Sequence, residues 1–277
     1  MGQFLSSDLL LFIGLGFIAQ LVDGALGMAY GVIATTVLLS LGTPPAFASA
    51  SVHAAEIVTT GLAGASHVWH RNIDWALFRK LAPAGIAGGV IGAYVLVGLP
   101  ETLIRFLVTL YLMAIAALIA RRILRGRPAE EHTKSERERR LPTVPLGTAG
   151  GFLDAVGGGG WGPLVASSLL ARGDHPRTSI GSASLAEFFL TLSISIAFVT
   201  ALDVSQFWRE VVGLIIGGAI AAPFAGLFSR LLRPRTLMIL VAIVIVGLCV
   251  YNLSRLGLEL HRNAAWGVAA IVAGRSA

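Results

Sequence analysis

Two stretches carry groups that an apolar segment rarely holds: VDGALGMAYG at residues 22–31 and LDAVGGGGWG at residues 153–162. Each sets one carboxylate, Asp23 or Asp154, beside a cluster of glycines in the middle of a hydrophobic run. Ionisable groups in such surroundings are costly, and they mark functional sites by default. The chemistry these residue types suit is capture of a small anion. A helix that starts just after the glycines, at about Ala29 and about Trp161, opens with backbone N–H groups that lack an intrahelical partner and with the positive end of its dipole. Glycine lets that backbone approach an oxyanion with no β-carbon in the way. The expected ligand-binding set is Gly27, Tyr30 and Gly31 in the first stretch and Gly157, Gly158, Gly159, Gly160 and Trp161 in the second. An ionised Asp would repel the anion, so Asp23 and Asp154 are expected to cap half-helix N–H groups across the broken turn. Glycines that only let helices pack closely are the alternative.

Other polar groups recur in the next apolar run of each half. Glu56 and Glu187 are candidates for taking up and releasing a proton, or else they hydrogen-bond a neighbouring helix. His53 lies one turn before Glu56 on the same helix face, with Ser51 nearby. Ser182 and Ser184 occupy the equivalent turn later in the chain. A lining of hydroxyl, amide and imidazole groups suits an oxyanion, so Ser51, His53, Ser182 and Ser184 join the expected binding set.

These residues recur because the chain is written twice. A shift of 131 positions aligns 16–60 with 147–191 without a gap. Asp23 meets Asp154, Gly31 meets Gly162, Pro45 meets Pro176, Ser51 meets Ser182, Glu56 meets Glu187 and Thr60 meets Thr191. After a two-residue slip, IDWALF (73–78) matches LDVSQF (202–207). Chance could match leucines in two apolar segments, but not an Asp, a Glu, a Pro and several glycines in register. The expected organisation is a first repeat at 1–120, a charged linker at 121–142, a second repeat at 143–253, and a tail at 254–277 with a short apolar segment at 264–273.

The elements that must position these groups are membrane helices. The chain has 277 residues, 55% of them hydrophobic and 13% charged, where a soluble domain carries roughly a quarter charged. Apolar runs recur along its length, so the fold class is an all-α polytopic membrane protein. Each half offers five runs: 9–22, 28–41, 46–66, 79–98 and 102–120, then 143–156, 161–171, 177–200, 207–228 and 234–253. The first two of each half are short for a bilayer core of roughly 30 Å. They read as half-helices meeting at the glycines, a break tolerated only where it is buried or lines a cavity. The N-terminus MGQFLSSD lacks a basic stretch and reads as retained rather than cleaved.

The net charge of +6 lies mostly in short loops, so it reads as a topology signal rather than a nucleic-acid surface. If each broken pair is a hairpin, the halves are inverted. Arg71, Arg79, Lys80, Arg172, Arg177, Arg230, Arg233 and Arg235 then share one face with the eight basic residues of the linker. The opposite face keeps only Arg105, Arg209, Arg255 and Arg262. A single broken helix in each half would make the repeats parallel and scatter these charges, so the positive-inside rule favours inversion with the linker cytoplasmic. Cys249 is the single cysteine, which excludes a disulfide framework and a cysteine metal site. His53 and Glu56 do not form an H-E-x-x-H motif, and no Ser sits in a G-x-S-x-G elbow. No enzyme, metal or cofactor is expected. Inverted repeats with discontinuous helices point to a transporter site at the membrane midplane; an anion channel and a non-transporting structural membrane protein are the alternatives.

At these residues the chain resembles the sulfite exporter TauE/SafE family of membrane permeases. The resemblance rests on the duplicated halves, the basic linker, the D-x-x-x-G-x-x-x-G pattern at Asp23–Gly31 and Asp154–Gly162, and the continuation through Pro45, Ser51 and Glu56 and through Pro176, Ser182 and Glu187. It implies a multi-pass permease of the cell inner membrane that moves a small sulfur-containing anion such as sulfite or an organosulfonate. Its partners would be that anion, the lipid bilayer, protons and a further copy of itself in a homo-oligomer. LGMA replaces the glycine run in the first half, which departs from the stronger second copy.

Overall fold

The computed structural model describes residues 7–26, 28–125, 142–171, 175–231 and 234–274, and among them there is helix and turn but no strand. The first apolar run becomes α1 (Ser7–Leu26), longer than the 9–22 expected of it. Asp8 supplies a negative charge to its first turn, and Asp23 stays within the helix while its side chain serves the next one. Twenty residues make about 30 Å of helix, so α1 is not the short piece the run suggested. By contrast α2 (Tyr30–Leu41) has twelve residues, about 18 Å. It stops at Gly42, whose φ of 98° closes the last turn onto the Leu38 and Leu39 carbonyls.

Proline at the first turn starts α3 (Pro45–Trp69). Asp74 caps α4 (Trp75–Gly98) by accepting the Ala76 and Leu77 N–H groups, and α5 (Glu101–Arg125) follows. The second half opens with α6 (Thr143–Gly157). A π-helical turn at Gly162–Ala166 leads into the short α7 (Ser167–Ala171). Then come α8 (Pro176–Ala201), again begun by proline, α9 (Trp208–Leu231) and α10 (Pro234–Gly274). Segment 264–273 thus continues α10. Gly27, Arg172, Arg233 and residues 126–141 of the linker lie outside the described residues.

Among the described residues, four helical segments are long and apolar enough to cross a bilayer: Trp75–Gly98, Glu101–Arg121, Arg177–Ala201 and Arg235–Leu258. Their packing is reciprocal between halves. Helix α1 lies along α9, α6 lies along α4, α3 crosses α8, and α5 packs on α10. Small residues set these distances. A β-carbon at Gly88 would fall within 2.0 Å of the Thr148 carbonyl oxygen, and one at Gly217 within 2.0 Å of the Ile13 oxygen. The neighbours also give the directions. Gly147 faces Leu81 while Gly92 faces Phe152 and Ala155, so α4 and α6 run the same way. Gly61 faces Phe188, Gly64 faces Leu185, and the Thr60 and Thr191 hydroxyls meet at 3.4 Å, so α3 and α8 run in opposite directions.

Candidate functional site

The two half-helix tips meet beside the α3–α8 crossing. At the first, the Asp23 Oδ1 accepts the N–H of Ala29 at 2.7 Å and of Tyr30 at 3.1 Å. At the second, the Asp154 Oδ1 accepts the N–H of Trp161 at 2.9 Å. Each carboxyl is therefore spent on the first N–H groups of the helix that follows it, where the orphan donors and the positive dipole end lie. A Glu56 carboxyl oxygen stands beside Gly31, 3.0 Å from where a β-carbon on it would lie.

The second tip turns through Gly158 and Gly159, whose φ angles of 65° and 141° lie in the region that favours glycine. It then crosses the first tip. A β-carbon on Gly159 would lie 2.4 Å from the Gly31 carbonyl carbon, and the Thr35 hydroxyl donates to the Gly158 oxygen. Tyr111 covers the other side: its ring sits against Gly157, its hydroxyl against Gly160, and that hydroxyl donates to the Gly159 oxygen at 3.2 Å. Protein contacts alone thus require these glycines, whatever ligand is present.

A cavity of about 320 Å³ opens at the crossing. Four carboxyls line it, those of Asp23, Glu56, Asp154 and Glu187, and no Lys or Arg stands among its described lining residues. From the tips the lining follows one face of α3 through Glu56, Thr59, Thr60, Ala63 and His67, and one face of α8 through Glu187, Ser184 and Ile180. Both stripes lead to the end of the bundle where α3 finishes and α8 starts, past exposed Ala63 to half-buried His67 on α3 and to exposed Ile180 on α8.

Of the expected binding set, Tyr30, Gly31, Gly159, Gly160 and Ser184 line this cavity, and Ser51, His53, Gly157, Gly158, Trp161 and Ser182 do not. The Trp161 ring is fully buried, fills the space left by Gly85, and gives its indole N–H to the Ala183 oxygen. The Ser182 hydroxyl holds the loop before α4, accepting the Asp74 N–H at 2.8 Å and donating to the Asp74 oxygen. The Ser51 hydroxyl is buried with no hydrogen-bond partner among the described residues. His53 is fully buried, 3.2 Å from the Asp154 Oδ2. Sequence reasoning missed Gln20, Thr59, Thr60 and His67 as lining residues. Helical spacing could have found them: Gln20 lies three before Asp23, and the others follow Glu56 by three, four and eleven. No group of three or more His, Cys, Asp or Glu side chains that could hold a metal ion occurs among the described residues.

A family model described as Sulfite exporter TauE/SafE matches residues 12–252, nearly the whole helical region just laid out. The chain belongs to this family. One relative of this TauE/SafE chain, named Probable membrane transporter protein YtnM, comes from Bacillus subtilis (strain 168). It is 40% identical over 238 residues, which cover 84% of this chain and 78% of the relative. No solved structure matches the chain. Family and relative together point to a membrane transporter rather than an enzyme.

Proposed function

We propose that this TauE/SafE chain is a proton-coupled secondary transporter of a small sulfur-containing anion, such as sulfite or an organosulfonate, across the inner membrane. The observation that carries this reading is the cavity at the crossed tips, lined by four carboxyls and no Lys or Arg. Its volume of about 320 Å³ is at the small end of ligand sites. Ionised carboxylates repel an anion in a medium of low dielectric. A protonated carboxyl is instead a hydrogen-bond donor. An anion therefore fits here together with protons, and Glu56 and Glu187 are the groups to carry them. Gln20, Ser184 and His67 supply uncharged donors around it. The α3 and α8 stripes of the lining lead to one end of the bundle, which suits a carrier open on one side.

The reading includes inverted repeats over 1–120 and 143–253, joined by the linker at 121–142 and followed by the tail. It is supported by α3 and α8, whose sequences match under the shift of 131 positions and whose axes oppose, with the matched Thr60 and Thr191 in contact. Single cysteines placed at Ser135 and Arg230 should react with an impermeant thiol reagent from one side of the membrane, and those at Thr43 and Glu101 from the other. Arg230 and Ser135 labelling from opposite sides would remove the inverted arrangement.

The transport reading is tested by counterflow in liposomes containing the purified chain, against sulfite, organosulfonates and carboxylates. Sulfite or an organosulfonate should exchange, and a pH gradient should drive its accumulation. Glu56→Gln and Glu187→Gln should each reduce that gradient-driven accumulation by about tenfold or more. If no sulfur anion exchanges, the substrate class is wrong. If both single variants and the double variant keep the pH dependence, the two glutamates are structural.

A further inference from the structure

His53 is fully buried on α3 and faces Asp154 on α6. Its hydrogen bonds fix where its protons are. The Nδ1 lies 2.8 Å from the Ser49 carbonyl oxygen and 3.2 Å from the Ser49 hydroxyl. That hydroxyl donates its one hydrogen to the Ala155 oxygen at 2.6 Å, so towards the ring it can only accept. Nδ1 therefore faces two acceptors and carries a hydrogen itself. In a neutral ring the Nε2 is then a bare lone pair. It stands 3.2 Å from the Asp154 Oδ2, and an ionised Asp is an acceptor only. Two lone pairs do not hold together in a dry site.

We infer that His53 and Asp154 bind one proton between them, as a single proton site reached from the cavity through Asp154, which lines it while His53 lies behind. Whether the proton rests on Nε2 or on Oδ2, the pair is neutral and its hydrogen bond is intact. When the proton leaves, the pair carries one negative charge and the contact between α3 and α6 loses one of its bonds, while that from the Ser49 hydroxyl to the Ala155 oxygen remains. Its other carboxyl oxygen keeps the Trp161 N–H in either state, so the gain and loss are confined to the side facing His53. The counterpart of His53 in the second half is Ser184, which cannot share a proton in this way, so the site belongs to one half only.

The inference rests on the proposed anion transport for its role, but not for its chemistry. The other titratable groups around the pair are Glu56 on α3, Glu187 on α8 and Tyr111 on α5, all of which interact electrostatically with Asp154. Across the cavity stand Asp23 on α1 and Tyr30 on α2, while α4 and α9 add no residue to the lining. By linkage, a proton on the pair and an anion in the cavity each favour the other, and by the same factor.

Nitrogen NMR of the full chain in nanodiscs, labelled with ¹⁵N-histidine and without substrate, tests the pair directly. The His53 signals should show a protonated Nδ1 and an Nε2 that shares a proton, and Asp154→Asn should abolish their pH-dependent step. His53→Gln assigns the signals; if that variant fails to fold, a chain with the other histidines replaced by Gln assigns them instead. Ring signals that titrate identically in the wild type and in Asp154→Asn overturn the inference. Sulfite counterflow measured against pH then tests the role. Asp154→Asn and His53→Gln should each flatten the profile, and the double variant should be no flatter than either, as expected of residues that act together. A profile unchanged in both single variants removes the pair from the transport cycle. Absence of sulfite counterflow in the wild type strikes the transport reading, while the NMR result decides the pair by itself.

Discussion

At the first tip one oxygen of Asp23 takes two backbone N–H groups, and α2 continues from it as a regular helix. At the second, one oxygen of Asp154 takes a single N–H, the backbone passes through two glycines at positive φ, and a π-helical turn follows. Both tips descend from one pattern, D-x-x-x-G-x-x-x-G. The difference lies in what the second carboxyl oxygen does. That of Asp154 meets His53, whereas among the described residues no imidazole hydrogen-bonds Asp23; both carboxyls line the cavity. Duplication gave the protein two equivalent carboxylates, and divergence has tied only one of them to a second titratable group.

The sharpest way to break this comparison is to exchange a residue between matched positions of the tips. Under the shift of 131, Gly159 corresponds to Met28. Gly159 has a φ of 141° and a neighbouring backbone within 2.4 Å of any β-carbon. Gly159→Val should therefore cost about 3 kcal/mol or more, from strain and overpacking together, and should lower the unfolding temperature in detergent by many degrees or prevent folding. Met28→Ala, at a residue whose φ is not positive, should cost about 1 kcal/mol. Equal losses at the two positions would mean that the second tip does not depend on its glycine turn.

Much of this arrangement was legible in the sequence, because duplication prints each important residue twice. The shift of 131 positions located both tips, both carboxylates and the two glutamates, and hydropathy located the helices. What was not legible came from partners distant along the chain. Tyr111 is a lone aromatic residue in an apolar run and gives no sign that it packs on Gly157 and Gly160. His53 and Asp154 are 101 residues apart, and the repeat hides their contact because it has no copy in the other half. The length of α1 was missed because a carboxylate normally signals a helix end, and here Asp23 lies inside the helix and caps a different one. The glycine run did not tell its cavity-lining members, Gly159 and Gly160, from those that only pack, Gly157 and Gly158, because open backbone and tightly packed backbone use the same residue.

A smaller effect separates the two carboxylates themselves. Asp154 is 2% exposed, and Trp161 and His53 are fully buried. Asp154→Ala leaves the Trp161 N–H and the His53 Nε2 without their partner in a nearly fully buried place, at about 1–3 kcal/mol for each orphaned group. Asp23 is only partly buried, so water in the cavity can take the Ala29 and Tyr30 N–H groups once its carboxyl is gone. Asp23→Ala should then cost about 1 kcal/mol, the ordinary loss of a helix cap. Apparent unfolding temperatures of the two variants in the same detergent measure the difference, and Asp154→Ala should lie clearly lower. Asp154→Asn should recover most of the loss, because its amide oxygen can accept the Trp161 N–H while its NH₂ donates to Nε2. This is the same variant that should lose the shared proton, so the pair separates holding the helices together from titrating. If Asp23→Ala is as damaging as Asp154→Ala, the contact with His53 adds nothing to the second tip, and the two halves are equivalent in energy as they are in sequence.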